Sequence, residues 1–204
     1  MKLKYIKLPT FKHMIVNNPH FIPIKQTNNI NINNTSCIVV WHNLKKNKLY
    51  YLIQKRSTSM STGAGKLAIP GGMLEKTDKY IQYGAVRELL EETQFSLRTH
   101  NNMSHETIEI LSKCLFPLSQ EGTNMTFFII LASKKMPEWM GPLSYSIYPF
   151  KKSIHEVDMI DYTWNKNIKY GHTFMSSNEI IKKQKKFWKY SIYQLLKIIK
   201  ILNS

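Results

Sequence analysis

The chain has 204 residues, 43% of them apolar and 12% aromatic, enough to bury the core of one sizeable domain and too many for an unfolded polyelectrolyte. Its 29 Lys and Arg against 13 Asp and Glu leave a net charge of +16, which invites a polyanion such as nucleic acid or an acidic membrane surface. No apolar run reaches the roughly 18 residues of a membrane span, and the basic start "MKLKYIKLPTFKHMIV" lacks a secretory signal's apolar stretch and cleavage site, so a soluble, cytoplasmic protein is expected.

The charge has a second reading. Only Arg56, Arg87 and Arg98 are arginines, and the surplus of lysine, asparagine and isoleucine is what AT-rich coding produces. Cys37 and Cys114 lie in apolar runs and read as buried thiols of a reducing compartment.

In chain order, residues 1–35 form an N-terminal arm, ending in the polar tract "KQTNNININNTS". "SCIVVWHN" (36–43) and "LYYLIQKRS" (49–57) are rich in β-branched and aromatic residues and flank the turn-like "LKKNK", which predicts a hairpin. "STGAGK" (61–66) is not a phosphate loop, because Leu67 follows the lysine where Ser or Thr is required. "KLAIPGG" (66–72) reads as a short strand breaking into a glycine turn. A helix is predicted over 79–94 with Thr77 or Asp78 as its N-cap. "TIEILSKCLFPL" and "TNMTFFIILAS" read as strands, and "HEVDMIDYTW" (155–164) as a loop entering another strand. From Ser176 the spacing of Ile180, Ile181, Phe187, Trp188, Ile192, Leu195, Leu196, Ile199 and Leu202 predicts one amphipathic helix, with Gln184 as the exception. Ser176 and Glu179 supply a capping box, and Lys182, Lys186, Lys189 and Lys200 fall on the polar side. That side suits a solvated face, an RNA-backbone stripe or a membrane-surface stripe.

The acids are concentrated. None precedes Glu75, and then Glu75, Asp78, Glu88, Glu91 and Glu92 follow within eighteen residues. On the 79–94 helix, Ala85, Val86, Leu89, Leu90 and Thr93 form one side and Glu88, Glu91 and Glu92 the other, where like charges at i, i+3 and i+4 repel. A hard divalent cation turns this repulsion to use, since Mg²⁺ takes oxygen ligands and joins carboxylates to substrate phosphates. Gly71 and Gly72 have no Cβ and leave their carbonyls accessible, and Arg87 can position an acid through a charge-assisted hydrogen bond.

"PGG" followed by "VRELLEET" resembles the box of the Nudix hydrolases, G-x5-E-x7-R-E-U-x-E-E-x-G-U with U aliphatic. Gly72 leads, Asp78 stands for the first Glu, and Arg87, Glu88, Leu89, Glu91, Glu92 and Phe95 match. The interval from Asp78 to Arg87 is one residue too long, and Gln94 replaces a glycine. The likeness runs from about residue 36 to 165. The extra residue, the length and the tail helix look like the Nudix proteins of large insect DNA viruses, including the baculovirus type.

The resemblance implies an α/β (α+β) Nudix fold, a mixed β-sheet sandwiched between helices, with a Nudix domain at 36–175 and a basic amphipathic helix at 176–204 packed on it. It implies Mg²⁺- or Mn²⁺-dependent hydrolysis of a pyrophosphate bond. Glu91 and Glu92 would be the metal ligands, with Gly71 beside them; Glu88 would be a third ligand or would orient the water. Arg87 would position the glutamates, while Gly72, Glu75 and Asp78 would be structural. Decapping relatives carry a Glu six residues before a Trp; counting back from Trp164 gives Asp158, with Glu156 two residues away, as general-base candidates. Glu121 is a weaker candidate, and Lys55 and Arg56 are expected at substrate phosphates. Capped RNA gives the surplus lysines a purpose. ADP-ribose, an inositol pyrophosphate or another small nucleotide is the alternative, and a non-catalytic RNA-binding module is a third reading.

Overall fold

The computed structural model describes residues 5–7, 14–26, 31–56, 60–93, 105–135 and 172–204. Its centre is the hairpin of β3 (Asn34–Asn43) and β4 (Lys48–Lys55), with Val40 opposite Tyr51. The hairpin turns at Asn47, which takes φ 48°, a conformation asparagine adopts more readily than most residues. Along its whole length β3 lies parallel to β8 (Asn124–Ser133), from Asn34 opposite Asn124 to Asn43 opposite Ser133.

The other pairings are antiparallel. β6 (Gly71–Met73) joins the start of β3, β7 (Phe116–Glu121) joins β8, and β5 (Leu67–Ala68) and β9 (His172–Ser176) join β4. β2 (Met14–Val16) pairs with the far end of β8 and with β1 (Tyr5–Lys7). Part of the stretch expected as an extended arm therefore belongs to the sheet, with Ile15 and Ile32 buried because they complete its core.

Successive side chains of a strand point to opposite faces, so an unbroken apolar run serves two cores at once. Cys37, Val39 and Trp41 face α1 (Ile81–Thr93) and α2 (His105–Ser112), together with Leu52, Phe127 and Ile129. Ile38 and Val40 face α3 (Ser177–Lys182) and α4 (Lys189–Asn203), together with Tyr51 and Ile53. The result is a mixed sheet between two helical layers. No helix among the described residues is long and apolar enough to cross a membrane. Both cysteines are free and buried, and burial pushes the Cys37 thiol up and the Cys114 thiol up to about 11.

Three local expectations are corrected. "TIEILS" is helical, because Ile108 and Leu111 at i, i+3 make a stripe that packs on α1, and the strand starts only at Phe116. The acid-bearing helix begins at Ile81, and Asp78, expected as its cap, instead turns toward Arg87. The tail is two helices. The Ser176–Glu179 capping box is present at α3, but the run "KKQKK" offers no apolar side chain to bury, and the chain leaves the helix at Phe187. There Phe187 bridges to Leu67, and the Trp188 N–H donates to the Leu67 carbonyl at 2.8 Å, before α4 starts. Lys182, Lys186, Lys189 and Lys200 are all exposed but do not lie on one continuous helix.

Because Leu195 and Ile198 are fully buried in the second core, the tail is part of the folding unit. Ile198→Ala is expected to destabilise the protein by about 2–5 kcal/mol. The measurement is urea unfolding followed by circular dichroism; an unchanged midpoint would show that α4 adds no stability.

Candidate active site

β6 is the floor of the site. Gly71 and Gly72 lie opposite Ser36 and Thr35 in an antiparallel pair. A Cβ on Gly71 would stand 2.4 Å from the Thr35 carbonyl oxygen, and one on Gly72 would stand 2.3 Å from Glu88 Oε2. Only glycine permits this approach, which lays α1 directly on β6. The Gly71 N–H donates to Glu92 Oε2 at 2.7 Å. Glu88 and Glu92 are consequently buried, and the acid side of α1 is covered by the strand rather than by solvent.

Arg87 gathers the remaining acids. Nε and Nη2 donate to the two Asp78 oxygens at 3.0 Å each, a fork-to-fork pair whose side chains are 9% and 3% exposed. Nη2 also donates to the Met73 carbonyl at 2.8 Å. Nη1 spans Glu88 Oε1 at 3.0 Å and Glu91 Oε2 at 3.1 Å, with Glu75 Oε1 at 3.6 Å. Asp78 in turn accepts the Glu75 N–H at 2.8 Å, which fixes the 75–78 turn beneath the guanidinium. Burial acts to lower the Arg87 pKa, but its bonds to Asp78 and the charges of Glu88, Asp78 and Glu91 outweigh it, so the cation is held above its ordinary value. Burial pushes the Glu91 carboxyl above its usual range; Arg87 opposes the rise, while Glu75 and Asp78 add to it.

The donor set consists of carboxylate and carbonyl oxygens, the chemistry a hard divalent cation selects. A cation there would offset both the burial that chiefly raises Glu91 and the smaller repulsion from Glu75 and Asp78. Glu88, Glu91 and Glu92 could hold it. Among the described residues no three acid, imidazole or thiol groups already surround one point. Here Arg87 lies between Glu88 and Glu91, and the Gly71 amide holds Glu92.

A cavity of about 490 Å³ adjoins this cluster. Thr35, Gly71, Gly72, Arg56, Trp188 and Tyr190 all line it. Arg56 follows β4, lies 4.7 Å over the Trp188 ring, and donates from Nε to the Thr62 carbonyl at 3.2 Å. Gly63, at φ 64°, packs on this pair: a Cβ there would stand 3.1 Å from Trp188 Cδ1 and 3.3 Å from Arg56 Nε. The "STGAGK" segment thus closes over the cation–π pair. Tyr190 donates or accepts a hydrogen bond with Thr126 Oγ1 at 2.6 Å, and Thr126 meets Ser36 Oγ at 2.9 Å. Burial keeps the Tyr190 phenol above its usual pKa.

Of the residues singled out from the sequence, Glu75, Asp78, Arg87, Glu88, Glu91, Glu92, Gly71 and Gly72 come together, and Arg56 faces the adjoining cavity. Lys55 does not line that cavity, and Glu121 lies at the end of β7 against α4. Glu156, Asp158 and Trp164 lie outside the described residues. The sequence singles out Trp188 only as an apolar position of the tail helix, and Tyr190 not at all. The available signal was the run "KKFWKYSIY", with aromatics between lysines.

Asp78→Ala would leave Arg87 buried with Glu88, Glu91, the Met73 carbonyl and the more distant Glu75. It is expected to cost about 2–4 kcal/mol in urea unfolding, somewhat under the usual penalty for a buried charge losing its sole partner, and Asp78→Asn less. Equal midpoints for all three proteins would show that the fork to Asp78 is dispensable.

Comparison with known proteins bears on this geometry. The model of the NUDIX domain matches residues 33–138. An uncharacterized Nudix hydrolase, NudL, of Photorhabdus laumondii is 32% identical over 90 residues, covering 44% of this chain and 43% of that protein. The chain thus matches less than half the length of that relative. Among solved structures, a bifunctional NMN adenylyltransferase/ADP ribose pyrophosphatase of Francisella tularensis, complexed with AMP and a Mn ion, aligns with TM-score 0.45 and 20% identity, over 90% of this chain and 44% of that one. The NUDIX domain of Shewanella oneidensis NrtR, complexed with ADP ribose, aligns with TM-score 0.45 and 11% identity, over 91% and 93%. With its family model spanning just over half of the sequence and the box residues converging on β6, the chain belongs to the Nudix family.

Proposed function

We propose that the protein is a divalent-cation-dependent pyrophosphohydrolase that acts on capped RNA and releases m7GDP. The observation that carries this reading is that Gly71 and Gly72, against which Glu92 and Glu88 are held, line the same cavity as Arg56, Trp188 and Tyr190. Acids that hold a cation and a basic, aromatic cavity that takes a nucleotide lie side by side.

Bound Mg²⁺ or Mn²⁺ would neutralise pyrophosphate oxygens and lower the pKa of a bound water. Within this chain, Glu88, Glu91 and Glu92 hold the cation, and Gly71 with its neighbours sets their distance from the substrate. Arg87 positions the glutamates. Arg56 supplies positive charge to a phosphate, and the Trp188 and Tyr190 rings offer apolar surface to a base. Water attacks phosphorus and one P–O–P bond of the cap triphosphate breaks, leaving two phosphates on m7GDP and one on the RNA 5′ end; Glu156 or Asp158 is proposed to take the water's proton.

Capped RNA is preferred because the net charge of +16 far exceeds what a small nucleotide needs. ADP-ribose is the second reading, favoured by a cavity of about 490 Å³, a size suited to one small ligand. A binding module without catalysis fits less well, since buried acids facing a polyanion serve no purpose without a cation. The extra residue between Asp78 and Arg87 supports kinship with the Nudix proteins of large insect DNA viruses, and two free thiols support a reducing cytoplasm.

The test offers cap-labelled RNA and ADP-ribose side by side with Mg²⁺ or Mn²⁺. Release of m7GDP is expected, abolished by a chelator and lowered at least about 10²-fold by Glu91→Gln, the upper end of what loss of an outer-shell partner costs. AMP from ADP-ribose with capped RNA left intact would overturn the decapping reading.

A further inference from the structure

A second concavity, about 930 Å³, runs along the start of α4, and Trp188 and Tyr190 line it as well as the site cavity. The two shared residues set it next to the cavity of the proposed active site. Tyr193, 55% exposed, extends the aromatic row, and Lys185 and Lys189 edge it. The Trp188 and Tyr190 ring centroids are 5.9 Å apart with the planes tilted by 53°. Glu121 is the one carboxylate in the lining.

From this arrangement we infer that the groove takes a single-stranded nucleic acid leading out of the site cavity. The exposed Tyr193 ring beside the half-buried Trp188 and Tyr190 gives bases a stacking surface, and the exposed lysines next to them neutralise the phosphates. Glu121 is not positioned as a phosphate ligand but can accept an N–H from a base edge. Charge complementarity selects this occupant over an apolar protein segment: two exposed lysines border the rings, on a chain of net charge +16. Adjacency to the site cavity supplies the direction, since a chain whose 5′ end is at Gly71 and Gly72 meets Trp188 and Tyr190 as it leaves. The inference extends the capped-RNA reading but is tested apart from it, because binding of an uncapped strand needs no hydrolysis.

The experiment is fluorescence anisotropy of the full chain with a labelled, uncapped 12-nucleotide RNA in chelator, at several salt concentrations. Tyr193→Ala is expected to weaken binding about 5- to 100-fold. The double variant Lys185→Ser/Lys189→Ser is expected to flatten the log–log salt slope by about 1.4, from about 0.7 per single-strand phosphate contact. A control, Lys45→Ser/Lys46→Ser in the β3–β4 turn, removes the same charge at the opposite end of β3 and should leave the slope nearly unchanged. Equal effects of the two lysine pairs would overturn the inference, because net charge alone would then explain binding. So would a dimer that dissociates in Tyr193→Ala while RNA affinity stays constant, which would assign the groove to a second copy of the chain. If the strand binds as described but no m7GDP is released from capped RNA, the groove stands and the decapping reading fails.

Discussion

Carboxylates gathered at one end of a sheet repel one another, and the Arg87 guanidinium is what allows Asp78, Glu88 and Glu91 to remain there without a cation. Its geometry suits the task. The planar fork meets Asp78 with two parallel hydrogen bonds, and its three other N–H groups serve Glu88, Glu91 and the Met73 carbonyl. A lysine could neutralise one acid but could not hold several in fixed directions. The β6 carbonyl among its partners ties the helix to the strand, so the acids' positions are inherited from backbone packing.

That packing depends on two missing side chains. A Cβ on Gly71 would push β6 away from Thr35 and Ser36 of β3, and one on Gly72 would displace the Glu88 carboxylate. The acid face of α1, which on an isolated helix would be its solvated side, is thereby turned into an interior surface. Only Glu91, at 31% side-chain exposure, remains substantially open to incoming solvent or substrate. Buried acids and one accessible acid on the same helix give the site a fixed base and a reachable edge.

The opposite helical layer contributes part of the cavity wall. Pairing of Phe187 with Leu67 interrupts the tail, and this break sets Trp188 at the cavity wall rather than along a helix flank. Arg56 and Gly63 then fix the indole from the sheet side. Residues far apart in sequence, from β4, the glycine loop and α4, meet there because β5 places Leu67 between the two layers.

Local pattern carried much of this. The hairpin around Asn47, the acid cluster of α1, the Ser176–Glu179 cap and the family resemblance all rest on spacings within a few residues, and such spacings survive in the primary sequence. The helical nature of "TIEILS" was obscured because β-branched residues suit strands as well, and packing on α1 decided between them. Asp78 as the anchor of Arg87, the interrupted tail, and Trp188 and Tyr190 beside Gly71 were not legible, since the first depends on how the 75–78 turn folds back on the helix and the others on partners far away in the chain. The sequence by itself determined which residue types were available, oxygen ligands in one helix and lysines with aromatics in another. Only the tertiary structure decided that the glycines against which the acids rest share a cavity with Trp188 and Tyr190, because the register of β3 with β6 and the bridge from Leu67 to Phe187 are long-range contacts that no local periodicity encodes.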